Sequence, residues 1–165
     1  MEQRPRIALE TTGFDWILEG LAGFGLLMLL LLPLVYYSEL PEIIPQHFNA
    51  RGEADGFGHK STLWLLPGIG LALYLGLSVL HRKPEWYNYP VRITAENAPR
   101  QYQAAVRLTR ALKAAVMLIF AYLCWGSIQV ALQQRSALPP AFLGLALALV
   151  VGVLGWYLYS AFREK

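Results

Sequence analysis

The sequence GLAGFGLLMLLLLPLVYY, residues 20–37, is an apolar run that contains no charged residue. An α-helix needs about 20 apolar residues to cross the hydrocarbon core of a bilayer. Three further apolar blocks follow along the chain, so we predict transmembrane helices at about residues 17–37, 63–80, 111–132 and 139–162. On this prediction the whole chain, residues 1–165, forms a single membrane domain.

The overall composition agrees with lipid as the surrounding solvent. Hydrophobic residues make up 56% of the chain and charged residues only 15%, whereas soluble domains carry roughly 25% charged residues. A soluble protein of this size would need an improbably large core to bury such a chain. We therefore predict an all-α integral membrane protein, with a small folded extracytoplasmic cap at residues 38–62 between the first two helices.

The positions of the basic residues predict the orientation. Of the 14 Lys and Arg residues, the N-terminal tail holds two, residues 81–113 hold seven and the C-terminus holds two, while the connections on the opposite side hold three. Cytoplasmic loops carry the excess of positive charge, so we expect both termini in the cytoplasm of a bacterial plasma (inner) membrane. Topology explains the net charge of +3 better than nucleic-acid binding does.

The inner basic segment, residues 81–113, is expected to continue into the third helix. Residues 98–113 would form a water-exposed extension of that helix, with a basic surface made by Arg100, Arg107, Arg110 and Lys113. Anionic lipid head groups are the simplest partner for this surface. A cytosolic regulatory protein is the alternative partner.

Two acidic residues lie near the inner boundary of the first helix. Asp15 and Glu19 are one helical turn apart and suit a helix N-terminus. We expect them to pair with Arg107, Arg110 or Lys113 across the bundle. A proton relay is the alternative, because acids inside membranes are often functional.

The segment LPEIIPQHFNARGEADGFGHK, residues 40–60, is the most distinctive part of the chain. Asp55-Gly56 is typical of a hairpin turn between short extended arms. Glycines permit tight turns, and Asn and Asp side chains cap them. The candidate binding residues are Pro45, His47, Phe48, Asn49, Gly52, Asp55, Gly56, Gly58 and Lys60.

This motif, Pro-x-His-Phe-Asn-x-x-Gly-x-x-Asp-Gly-x-Gly-x-Lys, is similar to the signature of the domain of unknown function in the N-terminal half of SdpI-like membrane proteins. The resemblance continues through Asn88-Tyr89-Pro90 and covers most of residues 30–115. It implies immunity to a membrane-active peptide toxin, or signalling that holds a transcriptional repressor at the membrane. The immunity protein of that family carries a further membrane region beyond the part that this chain resembles.

Other functional classes find less support in the residues. The motif can serve purely as a scaffold for the cap. His47 and His59 are not a histidine pair at the i, i+4 spacing of a helical metal site, and no cysteine accompanies them as a further ligand. We therefore expect no metal or other cofactor. Ser38 and Ser61 are not surrounded by a recognisable catalytic-triad motif, so we expect no enzymatic activity. A small transporter or channel subunit acting as an oligomer remains the alternative, although no charge pair is evident near mid-membrane.

Overall fold

A computed structural model describes residues 4–163 and contains four long helices in that range. They are α1 (Gly13–Tyr36), α2 (Leu65–Leu80, entered through a 3₁₀ turn at Lys60–Trp64), α3 (Ala98–Ala131) and α4 (Ala141–Arg163). All four are long and apolar enough to span a membrane, as predicted. Their bounds differ from the predicted ones mainly at α1, which begins earlier, and at α3, which is much longer.

The early start of α1 is explained by a capping box. The Thr12 backbone N–H donates to Asp15 Oδ2 at 2.8 Å, and the Asp15 N–H donates to the Thr12 hydroxyl at 3.4 Å. This reciprocal pair satisfies backbone N–H groups that the first turn leaves free. The helix therefore begins at Gly13, ahead of the apolar run.

Helix α3 is the centre of the bundle. Its 34 residues span about 51 Å, and α1, α2 and α4 all pack against it. The α1 contact is the most extensive, and it is close at Gly25, where an added Cβ would lie 2.9 Å from the Met117 backbone. Glycine at this position lets the two helix backbones approach.

The cap contains a two-stranded antiparallel sheet, so the all-α prediction is wrong for this part of the chain. Strand β1 (Ile43–Phe48) pairs with β2 (Ala54–His59), with irregular register on either side of His47. Asp55-Gly56 lies inside β2 and does not form the turn. The turn is at residues 49–52, where the Asn49 side chain accepts from the backbone N–H groups of Arg51 and Glu53, at 2.8 and 3.1 Å, and Gly52 has φ +80°.

The cap is docked firmly on the helix ends. The Leu138 N–H donates to the Gly52 carbonyl at 2.8 Å, and the Ser127 hydroxyl donates to the Pro45 carbonyl at 2.6 Å. Ile44 from β1 is buried in one apolar cluster with Leu29 of α1 and Ile128 of α3. The sheet is consequently part of the bundle and is not a separate appendage.

The first half of α3 is covered by other parts of the chain, so the predicted water-exposed extension is wrong. A 3₁₀ turn at Pro84–Trp86 precedes an aromatic stretch, in which the Tyr87 hydroxyl lies 2.9 Å from the Thr109 hydroxyl and Tyr89 packs on Tyr102. Tyr157 and Ala161 of α4 pack around Ala105 on the same region. The helix is continuous from Ala98, as predicted, but it is flanked by α1, α4 and this stretch.

Candidate functional site

The motif residues of the cap have separate structural roles. Asn49 and Gly52 build the hairpin turn, and the Asn49 amide also donates to Glu53 at 3.0 Å. Gly56 faces His47 across the sheet, where an added Cβ would lie 2.9 Å from the His47 Cβ. Gly58 lies beneath the Gln46 side chain, which would overlap any added Cβ. These two glycines therefore allow side chains of β1 to lie across β2.

His47 and Asp55 form an exposed pair on the cap. The two residues are joined by a 2.5 Å contact between His47 Nδ1 and Asp55 Oδ1, with side-chain exposures of 72% and 45%. The carboxylate accepts from the Nδ1–H group, which leaves Nε2 available as a hydrogen-bonding group on this exposed side chain. This orientation suits recognition of a polar group on a ligand.

Lys60 joins the base of the cap to the end of α1. Its ammonium lies 3.1 Å from Glu42 Oε1, 3.4 Å from the Leu40 carbonyl and over the Tyr37 ring. The hydrogen bond from Lys60 holds the pKa of the Glu42 carboxyl below its usual range. His59 Nε2 also lies 3.0 Å from Glu42. Lys60 thus acts as an anchor and lies outside the groove described next.

A groove of about 450 Å³ lies beside β1, between the cap, the start of α2 and the last turns of α3. Its floor is apolar, from Ile44, Leu66 and Cys124, and its rim carries polar side chains. Among the predicted binding residues, the groove brings together Pro45, His47 and Phe48. A volume of this size falls within the roughly 300–1,000 Å³ of ordinary ligand sites. The remaining motif residues support the groove and do not line it.

The opposite end of the bundle holds a buried cluster of charged residues. Asp15 is completely buried, and its Oδ1 lies 3.0 Å from Arg110 and 3.4 Å from Arg107. Glu19 lies 2.7 Å from Lys113 and 3.3 Å from Arg110. The predicted pairing of the two acids with basic residues of α3 is confirmed.

The predicted inner basic surface is not a single surface. Arg110 is 9% exposed and Lys113 is fully buried, because both turn inward to the α1 carboxylates. Arg107 is partly covered, and among the four only Arg100 is exposed. An unpaired charge at these depths would carry a large desolvation cost, which the ion pairs offset. These ion pairs lie towards one end of the bundle, so the prediction that no charge pair lies near mid-membrane stays a prediction.

Lys113 also binds residues of α2 that the sequence reasoning missed. Its ammonium donates to Ser78 Oγ at 2.9 Å and lies 4.7 Å from the centre of the Tyr74 ring. His81, just after α2, lies 3.8 Å from Glu19, and its burial lowers the pKa of its imidazole. The spacing of Tyr74, Ser78 and His81 at three to four residues was the available signal for one polar helix face.

No group of side chains that could hold a metal ion is present in the part of the chain that the structure describes. Within residues 4–163 no three His, Cys, Asp or Glu side chains converge as metal ligands. Cys124, the single cysteine, is buried against the apolar cluster that supports the cap.

Comparison with known proteins places the cap in a recognised context. Residues 24–71 match the family model described as a domain of unknown function, DUF1648, and that range holds most of α1, the whole cap and the start of α2. An uncharacterized protein of Archaeoglobus fulgidus is 37% identical over 71 residues, which covers 38% of this chain and 39% of that protein. No solved structure matches. From Phe24 to Leu71 the chain is therefore similar to the DUF1648 domain, while the whole charge cluster, on both α1 and α3, lies outside the matched range.

Proposed function

We propose that this chain is a non-enzymatic membrane protein of the SdpI-like kind, whose cap binds an amphipathic peptide at the outer membrane surface and so protects the cell from a membrane-active toxin. The groove beside β1 is the observation that carries this proposal. Signalling through the same cap, relayed to a regulatory protein inside, is a variant of the proposal with the same first step.

The chemistry of the groove fits a peptide that is apolar on one side and polar on the other. Its floor offers Ile44, Leu66 and Ile69 to apolar side chains, and its rim offers His47 and Thr62 to polar groups. Peptide-binding grooves combine these features, with apolar contacts for affinity and a few polar groups for orientation. The hydrogen bonds that dock the cap hold the groove open, which reduces the ordering cost of binding.

Survival of a toxin-sensitive bacterium tests this function. Expression of the intact chain should raise survival against at least one membrane-active peptide, and His47→Ala or Asp55→Ala should abolish the gain at equal membrane abundance. His59→Ala is the matched control, because His59 lies on the same cap but does not line the groove. Unchanged survival across a toxin panel, with the intact protein in the membrane, would contradict the proposal.

A small transporter or channel subunit acting as an oligomer is the second candidate, and the buried charge cluster favours it. Lys113, Glu19 and Asp15 form a connected set of titratable groups within the bundle. Such sets carry protons or ions in many membrane proteins. Proteoliposomes with the purified chain should then show proton or cation flux that Asp15→Asn and Glu19→Gln reduce. Flux that these substitutions leave unchanged would remove the basis for this candidate.

A further inference from the structure

A second groove lies on the other side of α3, between α1 and α4. The part nearer the start of α3, of about 470 Å³, is bounded by residues 7–10, Arg100, Gln103 and Ser160. The part further along α3, of about 390 Å³, is bounded by Phe14, Ala111, Ala148 and Gly152. Arg107 and Trp156 line both parts, so the two are continuous. This groove is remote from the cap, and it adjoins the charge cluster through the contact of Arg107 with Asp15.

The groove changes from polar to apolar in the same direction along both helices. On α3, Arg100, Gln103 and Arg107 follow one another at helical spacing and are succeeded one turn later by Ala111. On α4, Ser160 and Trp156 are succeeded by Gly152 and Ala148. Tryptophan is typical of the level where head groups meet acyl chains. The order of side chains therefore matches a molecule with a polar head and an apolar tail.

The polar end of the groove has an excess of positive charge. Arg100 is exposed and forms no hydrogen bond or ion pair with residues 4–163, and Arg107 uses Nε towards Asp15 and Nη2 towards Thr12. Glu10 contributes a carboxylate to the lining. The groove and the adjoining charge cluster together contain four cations and three carboxylates. The cations are Arg100, Arg107, Arg110 and Lys113, and the carboxylates are Glu10, Asp15 and Glu19.

We propose that this groove binds one anionic glycerophospholipid, with its phosphate at Arg100 and Arg107 and an acyl chain against Ala111, Ala148 and Gly152. One phosphodiester charge balances the single excess cation. Arginine presents paired N–H groups that suit a phosphate, and the small side chains leave room for a chain of methylene groups. With the orientation predicted from the sequence, the lipid would belong to the cytoplasmic leaflet.

Native mass spectrometry of the full chain in detergent tests this site. Phosphatidylglycerol and phosphatidylcholine with identical acyl chains are compared at equal concentration. We expect one tightly held phosphatidylglycerol and about tenfold weaker retention of phosphatidylcholine, because phosphatidylglycerol carries the net charge that the groove balances. Arg100→Gln should remove most of that preference, whereas Arg51→Gln, a matched change on the exposed cap turn, should leave it intact.

The tail part of the groove has its own matched pair of variants. Gly152 and Gly144 both lie on α4 with nothing within 4 Å of an added Cβ, but only Gly152 lines the groove. Gly152→Leu should lower retention of both lipids several-fold, and Gly144→Leu should not. Equal retention of the two lipids, equal behaviour of the two leucine variants, or displacement of the lipid by inorganic phosphate alone would overturn the proposal.

Discussion

Gly52 is the residue at which the hairpin turn meets the helical bundle. Its φ of +80° lies in the left-handed region, and an added Cβ would lie 2.1 Å from the Leu138 carbonyl oxygen. Its own carbonyl accepts from the Leu138 N–H. A side chain at this position would therefore strain the turn and also displace the α3–α4 connection.

We expect Gly52→Ala to lower the free energy of unfolding by at least about 2 kcal/mol, from backbone strain together with the clash at Leu138. Thermal unfolding in detergent measures the change. Gly20→Ala is the matched control, because Gly20 lies in α1 with nothing within 4 Å of an added Cβ. The control should be neutral or slightly stabilising. Equal melting temperatures for the two variants would show that the turn is not docked as described.

His81 should make stability depend on pH. Its imidazole is largely buried and faces Glu19, together with the cations Lys113, Arg110 and Arg82. Burial is the main cause that lowers its pKa, followed by the charge of Lys113, so the unfolded chain binds a proton more readily than the folded one. The contribution of His81 is thus fully present above its ordinary value of 6.5 and is lost as the pH falls below it.

The measurement is the melting temperature of the wild type and of His81→Asn at a series of pH values. The wild type should lose stability between neutral and mildly acidic pH, and the variant should lose less over the same range. Identical pH dependence of the two proteins would assign the effect to other groups.

At the scale of elements, α3 is the helix against which α1, α2, α4 and β1 all pack. Its central part accepts the ion pairs from α1 and packs on α2, and its end carries the cap through Ser127. The α1–α3 contact combines the close approach at Gly25 with the Glu19–Lys113 pair. The close approach and the ion pair both require the same rotation of α1 and α3 about their axes.

We predict a strong coupling between Glu19 and Lys113 across this contact. Glu19→Gln should destabilise the protein by about 3–5 kcal/mol, because it leaves the buried Lys113 ammonium without its carboxylate. Lys113→Met should cost less, because Glu19 keeps its contact with Arg110. The double variant should cost less than the sum of the two. Unfolding in denaturant, analysed as a double-mutant cycle, gives the coupling.

The pair Arg6–Glu85, in which Arg6 is exposed and Glu85 is mostly covered, provides the control cycle. Its side chains lie 3.9 Å apart and Arg6 is 86% exposed, so its coupling should be within about 1 kcal/mol of zero. A Glu19–Lys113 coupling as small as this control would mean that the pair is hydrated in the membrane-embedded protein.

At the scale of the whole molecule, the two ends of the bundle have opposite character. One end carries the cap with its groove, and the other carries the charge cluster and the groove beside α4. The orientation predicted from the Lys and Arg positions would place the cap outside the cell. That orientation stays a prediction, and it decides which surface meets which partner.

Cysteine labelling of intact cells tests the orientation. Cys124 is buried, so Cys124→Ala gives a background without a reactive thiol. In that background, Ser136→Cys on the α3–α4 connection should react with a membrane-impermeant maleimide, and Ala95→Cys should react only after lysis. Both positions are exposed, which makes them a matched pair. The reverse pattern would invert the topology.

The sequence predicted that the α1 acids pair with basic residues of α3, but not which partner each acid takes. By itself it determined the four apolar helices and the position of the cap. These follow from local composition, since an apolar run of helical length has few alternatives in a bilayer. The sequence also identified the cap motif. It predicted the hairpin turn at Asp55-Gly56, but Asn49 to Gly52 are good turn formers too, and local preference does not distinguish the two positions.

Only the tertiary structure decided which residues share a site. The register of the hairpin depends on its docking to Ser127 and Leu138, more than 80 residues further along the chain, so local turn preference could not select it. Arg110 and Lys113 face inward while Arg100 stays exposed, because the rotation of α3 against α1 sets the partner of each charge. Helix periodicity alone leaves that rotation open, and packing between helices fixes it.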